Sequence, residues 1–233
     1  MKICIDPGHG GTDPGAVANG LKEKDLTLAI SLEVANMLKK YKDIEVILTR
    51  DKDITLPLSV ARTPYCDISI SIHINAGGGQ GLETWVSLYN KSGESKKLGE
   101  LVHKNILQMV SFADRGIRTR KSDNGNYDYL YMLRMAKGIP ILVECGFIDN
   151  SFDANILKQE SNIKKTAQGI VNGIVQYAGL KEDNTKTIIR FENNEIDAVI
   201  IDGKTYAEVR KLAELLGYKV FWDAQRKTVE IKR

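Results

Sequence analysis

Residues 67–74 read Asp67-Ile-Ser-Ile-Ser-Ile-His-Ile74, a strict alternation of polar and β-branched apolar side chains. A two-residue period of this kind predicts a β-strand. It runs out through Asn75 and Ala76 into Gly77-Gly-Gly-Gln-Gly81, which reads as a tight loop after a strand. Outward from it, residues 2–6 form a short apolar strand that breaks at once into a Pro-Gly-His turn, and residues 44–48 form another. Between these two, residues 25–41 carry Leu26, Ala29, Ile30, Val34, Met37, Leu38 and Tyr41 at helical spacing, with Asp25 placed to cap the helix. Residues 82–89 read as a strand, 94–111 as a helix, 139–144 as a short apolar strand and 160–178 as a final helix. Strands alternating with helices predict an α/β fold, a twisted, mostly parallel sheet with helices on both faces.

The polar stretch 179–186 follows a complete helix and reads as a linker. Beyond it, residues 187–233 form a small α+β module. Strands are expected near 187–192, 196–201, 218–222 and 227–232, with a helix near 205–217. Asp202-Gly203 marks a turn and Gly217 ends the helix. At about 50 residues this module is close to the lower limit for independent folding.

Composition narrows the function. There are 33 basic and 30 acidic side chains in 233 residues, a balance that lacks the concentrated basic face nucleic acid requires. Cys4, Cys66 and Cys145 are too few for a disulfide framework and sit among apolar residues, as buried thiols do. No run of about 18 apolar residues exists, so no membrane span is expected. The N-terminus reads as the first strand of the fold and not as a secretion signal.

Two of the three histidines stand at the ends of expected strands. His9 lies in Asp6-Pro-Gly-His-Gly-Gly11 and His73 in Ser71-Ile-His-Ile-Asn-Ala76; the third, His103, lies on a helix and reads as structural. Sites in open α/β sheets gather beyond the carboxyl ends of the strands, where two imidazoles could share a metal ion. Catalytic zinc often takes two histidines and a carboxylate and leaves a position to water. Glu23 is expected in the loop between the first strand and the first helix, within reach of the same edge. Glu144 closes an apolar strand, as suits a general base. Each residue alone has a bland reading as a strand-end or surface group. A phosphate-binding reading fails for want of a Gly-Lys-Ser/Thr or Gly-x-Gly-x-x-Gly pattern.

The order Asp6-Pro-Gly-His-Gly-Gly11, Glu23-Lys-Asp-Leu-Thr-Leu28, Ser71-Ile-His-Ile-Asn-Ala76 and Val143-Glu-Cys-Gly-Phe-Ile-Asp-Asn150 resembles the zinc-dependent N-acetylmuramoyl-L-alanine amidases of the amidase-3 family. Leu48-Thr-Arg50 and Arg115-Gly-Ile-Arg118 add to the likeness, which covers residues 1–178. The resemblance implies that His9, Glu23 and His73 bind Zn2+ and that Glu144 is catalytic; Asp6 or Asn75 is expected to orient a ligand or the substrate from behind them. It implies cleavage of the bond between N-acetylmuramic acid and L-alanine in bacterial peptidoglycan. Thr27 departs from the asparagine common at its place, and Cys145, pointing away from its strand neighbour Glu144, is not expected on the metal.

The tail resembles the module named after the copper amine oxidase N-terminal domain. It holds no histidine or cysteine, so no usual copper site is expected. Its aromatics, including Tyr206, Phe221 and Trp222, serve either core packing or stacking on sugar rings, and the module is expected to target the wall or to self-associate into a homo-oligomer. The expected setting is an enzyme made in the bacterial cytoplasm without a signal peptide and acting at the wall after release, as a phage or prophage endolysin does. The alternatives are a zinc peptidase on stem-peptide bonds and a non-catalytic wall-binding protein.

Overall fold

The computed structural model describes residues 1–56, 65–90, 92–182, 186–201 and 204–233. They form two compact units, Met1–Lys181 and Glu182–Arg233. In the first, the chain runs β1 (Lys2–Pro7), β2 (Val17–Ala18), β3 (Leu21–Lys22), α1 (Glu23–Leu38), β4 (Glu45–Leu48), β5 (Ile68–Asn75) and β6 (Leu82–Val86). It continues through α2 (Glu94–Met109), β7 (Asp114–Arg118), α3 (Tyr131–Met135), β8 (Ile139–Phe147), α4 (Ser151–Leu157) and α5 (Glu160–Ala178).

Six strands make one mixed sheet in the order β4-β1-β5-β8-β6-β7. All neighbours are parallel except β6 and β8. The reversal follows from the glycine-rich loop, which carries the chain from β5 over the end of β8 and back into β6.

The alternation in β5 divides the molecule. Ile68, Ile70, Ile72 and Ile74 are at most 2% exposed and join Leu26, Ile30, Val34 and Leu38 of α1 and Leu98, Val102 and Ile106 of α2 in one apolar core. Burying each such side chain stabilises the fold by about 1.5–3 kcal/mol. Helix α5 packs on α1 and α2. Its Gly169 and Gly173 admit the backbone of α2, since a Cβ there would stand 2.6 Å from Ile106 Cα and 2.5 Å from Val102 Cα. The opposite face of β5 carries Ser69, Ser71 and His73, and Met132 of α3 packs near these serines. One face of the sheet therefore supports the fold and the other carries polar groups. The three cysteines are unpaired and buried, and burial pushes the Cys145 thiol far up, so it is inert.

Two boundaries that shape the site differ from the sequence reading. Helix α1 starts at Glu23, two residues before the expected cap at Asp25. Its first N–H groups are taken by loop carbonyls, Glu23 N–H donating to Ala16 O (2.9 Å) and Lys24 N–H to Pro14 O (3.1 Å), so no side-chain cap is required. Asp25 sits in the first turn, where its charge favours the helix dipole. Strand β8 does not stop at Glu144 but runs to Phe147, because Phe147 pairs with Asn75 across a bulge. Strands β2, β3 and β7 and helices α3 and α4 are additions.

The second unit comprises β9 (Lys186–Phe191), β10 (Asn194–Ile201), β11 (Lys204–Ala207), α6 (Val209–Leu215), β12 (Lys219–Asp223) and β13 (Thr228–Lys232). The first three strands form an antiparallel sheet and the last two a hairpin. The helix expected over 205–217 begins only at Val209, because residues 204–207 pair with β10. Thr205 and Tyr206 are strand-favouring residues, and the pairing satisfies their backbone. Ile196, Ala198, Ala213 and Val220 are buried, whereas Tyr206, Phe221 and Trp222 are exposed. The expected turn at Asp202-Gly203 and residues 183–185 of the expected linker lie outside the described residues.

Candidate metal centre

His9, Glu23 and His73 come from three separate elements and meet at one point. His9 follows β1 in the left-handed region (φ +62°), a strained conformation for a residue with a side chain. Glu23 is not in a loop, as its sequence context suggested, but opens α1. His73 stands near the end of β5. One donor atom from each lies within 4.8 Å of the other two. His9 Nε2 is 3.2 Å from Glu23 Oε2, His73 Nδ1 is 3.1 Å from Glu23 Oε1, and the imidazole rings meet edge to face at 5.2 Å. Two glycines make room. A Cβ at Gly8 would stand 2.5 Å from the His73 ring, and one at Gly15 (φ +63°) 2.6 Å from Glu23 Oε2.

Two of the three donors are aimed by partners outside the trio. Asp13 Oδ2 holds His9 Nδ1 at 2.8 Å and leaves Nε2 turned to Glu23, the arrangement in which a carboxylate orients a metal-binding imidazole. Glu23 accepts from Ile74 N–H on one oxygen and from Ala16 N–H on the other, both at 2.9 Å. Burial alone would push Glu23 up, but its hydrogen bonds with His73 and His9 outweigh it and hold the carboxyl far below its ordinary range. Conversely, the hydrogen bond to Glu23 lifts His9 to about 9. Burial opposes charge on His73, yet its bond to Glu23 and the charge of Glu144 raise it overall. Three groups that pull this strongly on one shared positive charge suit a divalent cation, with two imidazoles and a carboxylate as the donor set of catalytic zinc.

Glu144 is the direct register neighbour of His73. Its Oε2 is buried without a hydrogen-bond partner among the described residues. Burial, helped by the charges of Glu23 and Glu83, pushes its carboxyl up to about 7. A buried orphan oxygen beside a donor trio is where a proton acceptor for a water would stand. A cleft of about 490 Å³, lined in part by His9, His73, Leu130, Tyr131 and Met132, opens onto the trio.

Residues 3–176 match the family model of N-acetylmuramoyl-L-alanine amidases. The chain belongs to this amidase family. A sporulation-specific N-acetylmuramoyl-L-alanine amidase of Bacillus subtilis (strain 168) is 37% identical over 198 residues, spanning 82% of this chain and 74% of that protein. An endolysin of Bacillus phage SPP1 is 35% identical, over 77% of this chain and 67% of its own. The solved catalytic domain of CwlV, an N-acetylmuramoyl-L-alanine amidase from Bacillus (Paenibacillus) polymyxa, superposes with a TM-score of 0.69 at 31% identity, covering 77% of this chain and 99% of that domain. Residues 184–233 match the copper amine oxidase N-terminal domain.

Within this amidase fold, several residues that brace the trio had no assigned role in the sequence reading. Arg50 is 3% exposed and donates to Pro7 O (3.2 Å), Gly8 O (3.0 Å) and Lys24 O (2.8 Å), tying the His9 loop to the start of α1. Thr27 Oγ1 donates to Gly8 O at 2.7 Å, so the family departure at this position is a working contact to the His9 loop. Lys24 bridges Asp53 and Gly11 O. A polar residue four places after a strand-end histidine was the signal for Asp13. Arg50 had none beyond its place in the Leu48-Thr-Arg50 motif. Asp6 and Asn75, expected to orient a ligand or the substrate, direct their hydrogen bonds elsewhere among the described residues. Asp6 accepts from Thr49 and Ser71, both at 2.7 Å, and lines the cleft. Asn75 donates to Glu83 at 3.2 Å and accepts from Ala76 N–H.

Proposed function

We propose that this chain hydrolyses the amide bond between the lactyl group of N-acetylmuramic acid and the L-alanine of the stem peptide in bacterial peptidoglycan, with zinc held by His9, Glu23 and His73. The observation that carries this reading is the convergence of these three donors within 4.8 Å beside a buried Glu144 whose Oε2 is unpartnered. Bound zinc would supply Lewis acidity toward the carbonyl and lower the pKa of water toward ~7. Glu144 takes the proton from the attacking water and returns it to the departing nitrogen of L-alanine, a double duty that a carboxyl titrating near neutrality can perform. Asp13 keeps the His9 ring from turning, and Arg50 and Thr27 keep its loop from opening. Both a phage endolysin and a sporulation amidase stand among the relatives, which supports the wall as the site of action and the endolysin setting as one use of it. No helix among the described residues is long and apolar enough to cross a membrane.

End-group analysis of digested walls tests the reading. New L-alanine α-amino groups should appear together with unsubstituted muramic lactyl carboxylates. Release of amino termini only at other peptide bonds would replace it with a stem-peptide peptidase.

The second unit is proposed to anchor the enzyme to the wall, on the strength of Tyr206, Phe221 and Trp222, which turn apolar area to solvent instead of packing it. Ending the chain at Lys181 should cut the fraction that pellets with purified walls several-fold while leaving the first unit folded. Unchanged pelleting would leave self-association as the role to test, by the oligomeric state of both forms.

A further inference from the structure

Strand β7 contains a bulge that the metal chemistry does not call for. Between the pairs Leu82–Asp114 and Thr84–Ile117, β6 advances two residues and β7 three, with Gly116 at φ +79°. Side chains three apart on a regular strand face opposite ways. The extra residue brings both Arg115 and Arg118 to the same carboxylate, as bulges do when they re-aim a side chain. Arg115 Nε is 2.7 Å and Arg118 Nη2 3.6 Å from Glu83 Oε1.

The position of Glu83 gives this cluster its interest. Glu83 is the register partner of Glu144, and Glu144 of His73. The metal trio, the proposed general base and the two guanidiniums therefore follow one another across adjacent strands. Glu83 is 5% exposed, and its second oxygen accepts from Asn75. One carboxylate, already hydrogen-bonded by Arg115 and Asn75, thus faces two cations. The Arg118 side chain makes no hydrogen bond among the described residues, and its Nε is buried without a partner. Both side chains keep a solvent-facing part, 34% and 42% exposed. The Arg115 guanidinium is further fixed at 4.9 Å from the Phe147 ring.

A surplus positive charge, preorganised and half-open beside the reaction centre, is built to receive an anion. On the other side of the trio, the cleft lined by Leu130, Tyr131 and Met132 offers apolar and aromatic surface to a sugar ring. We propose that Arg115 and Arg118 form a subsite for a carboxylate on the peptide portion of the substrate, borne by the residue that follows L-alanine. This rests on the amidase reading above. Two strand spacings of about 4.8 Å put Glu83 roughly 10 Å from His73, and the guanidiniums that reach back from β7 to its carboxylate stand at a distance one further residue and its side chain can span.

The test uses the full chain loaded with zinc and two synthetic muramoyl tripeptides. They are identical except that the residue after L-alanine carries a free carboxylate in one and a carboxamide in the other. The wild type should prefer the acid by roughly 10- to 100-fold in kcat/KM, the range of a charge-assisted contact. In Arg118→Gln, which removes no hydrogen bond within the protein, the ratio should fall toward 1, and Arg118→Lys should restore part of it. Arg115→Gln should act in the same direction but also unpairs Glu83, so Arg118→Gln is the deciding variant. Loss of fold lowers both substrates together and leaves the ratio intact, which separates a structural role from recognition. Equal cleavage of the two by the wild type, or an unchanged ratio in Arg118→Gln, overturns the subsite and leaves the amidase reading standing. Cleavage of neither overturns both.

Discussion

Replacing Glu144 by glutamine should leave zinc bound at wild-type stoichiometry and lower kcat by about 10²- to 10⁴-fold, the usual share of a general base. Zinc is retained because the donor trio is complete without Glu144. Turnover is lost because Glu144 stands in register beside His73 with an unpartnered oxygen, while the other carboxyls nearest the trio on these strands are engaged. Asp6 is held by Thr49 and Ser71, and Glu83 by Arg115 and Asn75. Burial pushes Glu144 up to about 7, so its base form is lost as pH falls through that value, and kcat/KM should drop on the acid side. A bound cation favours the carboxylate and moves this limb to lower pH. Glutamine preserves the volume and removes a buried acid, so the fold is not weakened by the change. Metal analysis and clearing of a wall suspension, measured on one preparation, check both halves. Near-normal clearing would remove Glu144 from the reaction, and missing zinc would make it a ligand.

The sequence made the site legible to the extent that it depends on strands. His73 was readable because the alternation from Asp67 to Ile74 fixes both the strand and its end, and the strand then lies in the middle of the sheet. His9 was readable because Pro7-Gly8 breaks the first strand just before it. What was hidden is whatever depends on contacts between distant segments. Glu23 looked like a loop residue because its helix is started by the carbonyls of Pro14 and Ala16 and not by a capping side chain, which leaves no local signature. Arg50 reads as an ordinary basic residue after a strand, yet it is buried by the turns it ties together. The bulge at Gly116 could not be foreseen, since it exists only relative to the register of β6. In the tail the miss was local: residues 205–207 read as helix although β10, the strand that claims them, ends at Ile201 just before them.

Removing His73 should have the largest effect on the metal itself. With His73→Ala only His9 and Glu23 remain, one ligand short of the three protein donors that catalytic zinc requires. Structural zinc binds with about 10–16 kcal/mol shared by four ligands, so one ligand represents ~3 kcal/mol and affinity should fall by a factor of ~10²–10³. The loss also has a signature in pH. Zinc takes neutral imidazoles, whereas Glu23 first, and Asp13 after it, hold His9 protonated up to about 9, and His73 is raised as well. Wild-type affinity should therefore climb as pH rises toward 9, with imidazole protons released on binding. In His73→Ala the pH dependence should be shallower by about one proton. The variant also deprives the buried Glu23 of one partner, at a cost of about 1–3 kcal/mol of stability, but His9 and the Ile74 and Ala16 N–H groups still hold it. Titration well below the melting range, followed by calorimetry in two buffers of different ionisation enthalpy, separates affinity from unfolding. Full zinc occupancy with an unchanged proton count would remove His73 from the ligand set and, with it, the picture of three elements closing on one cation.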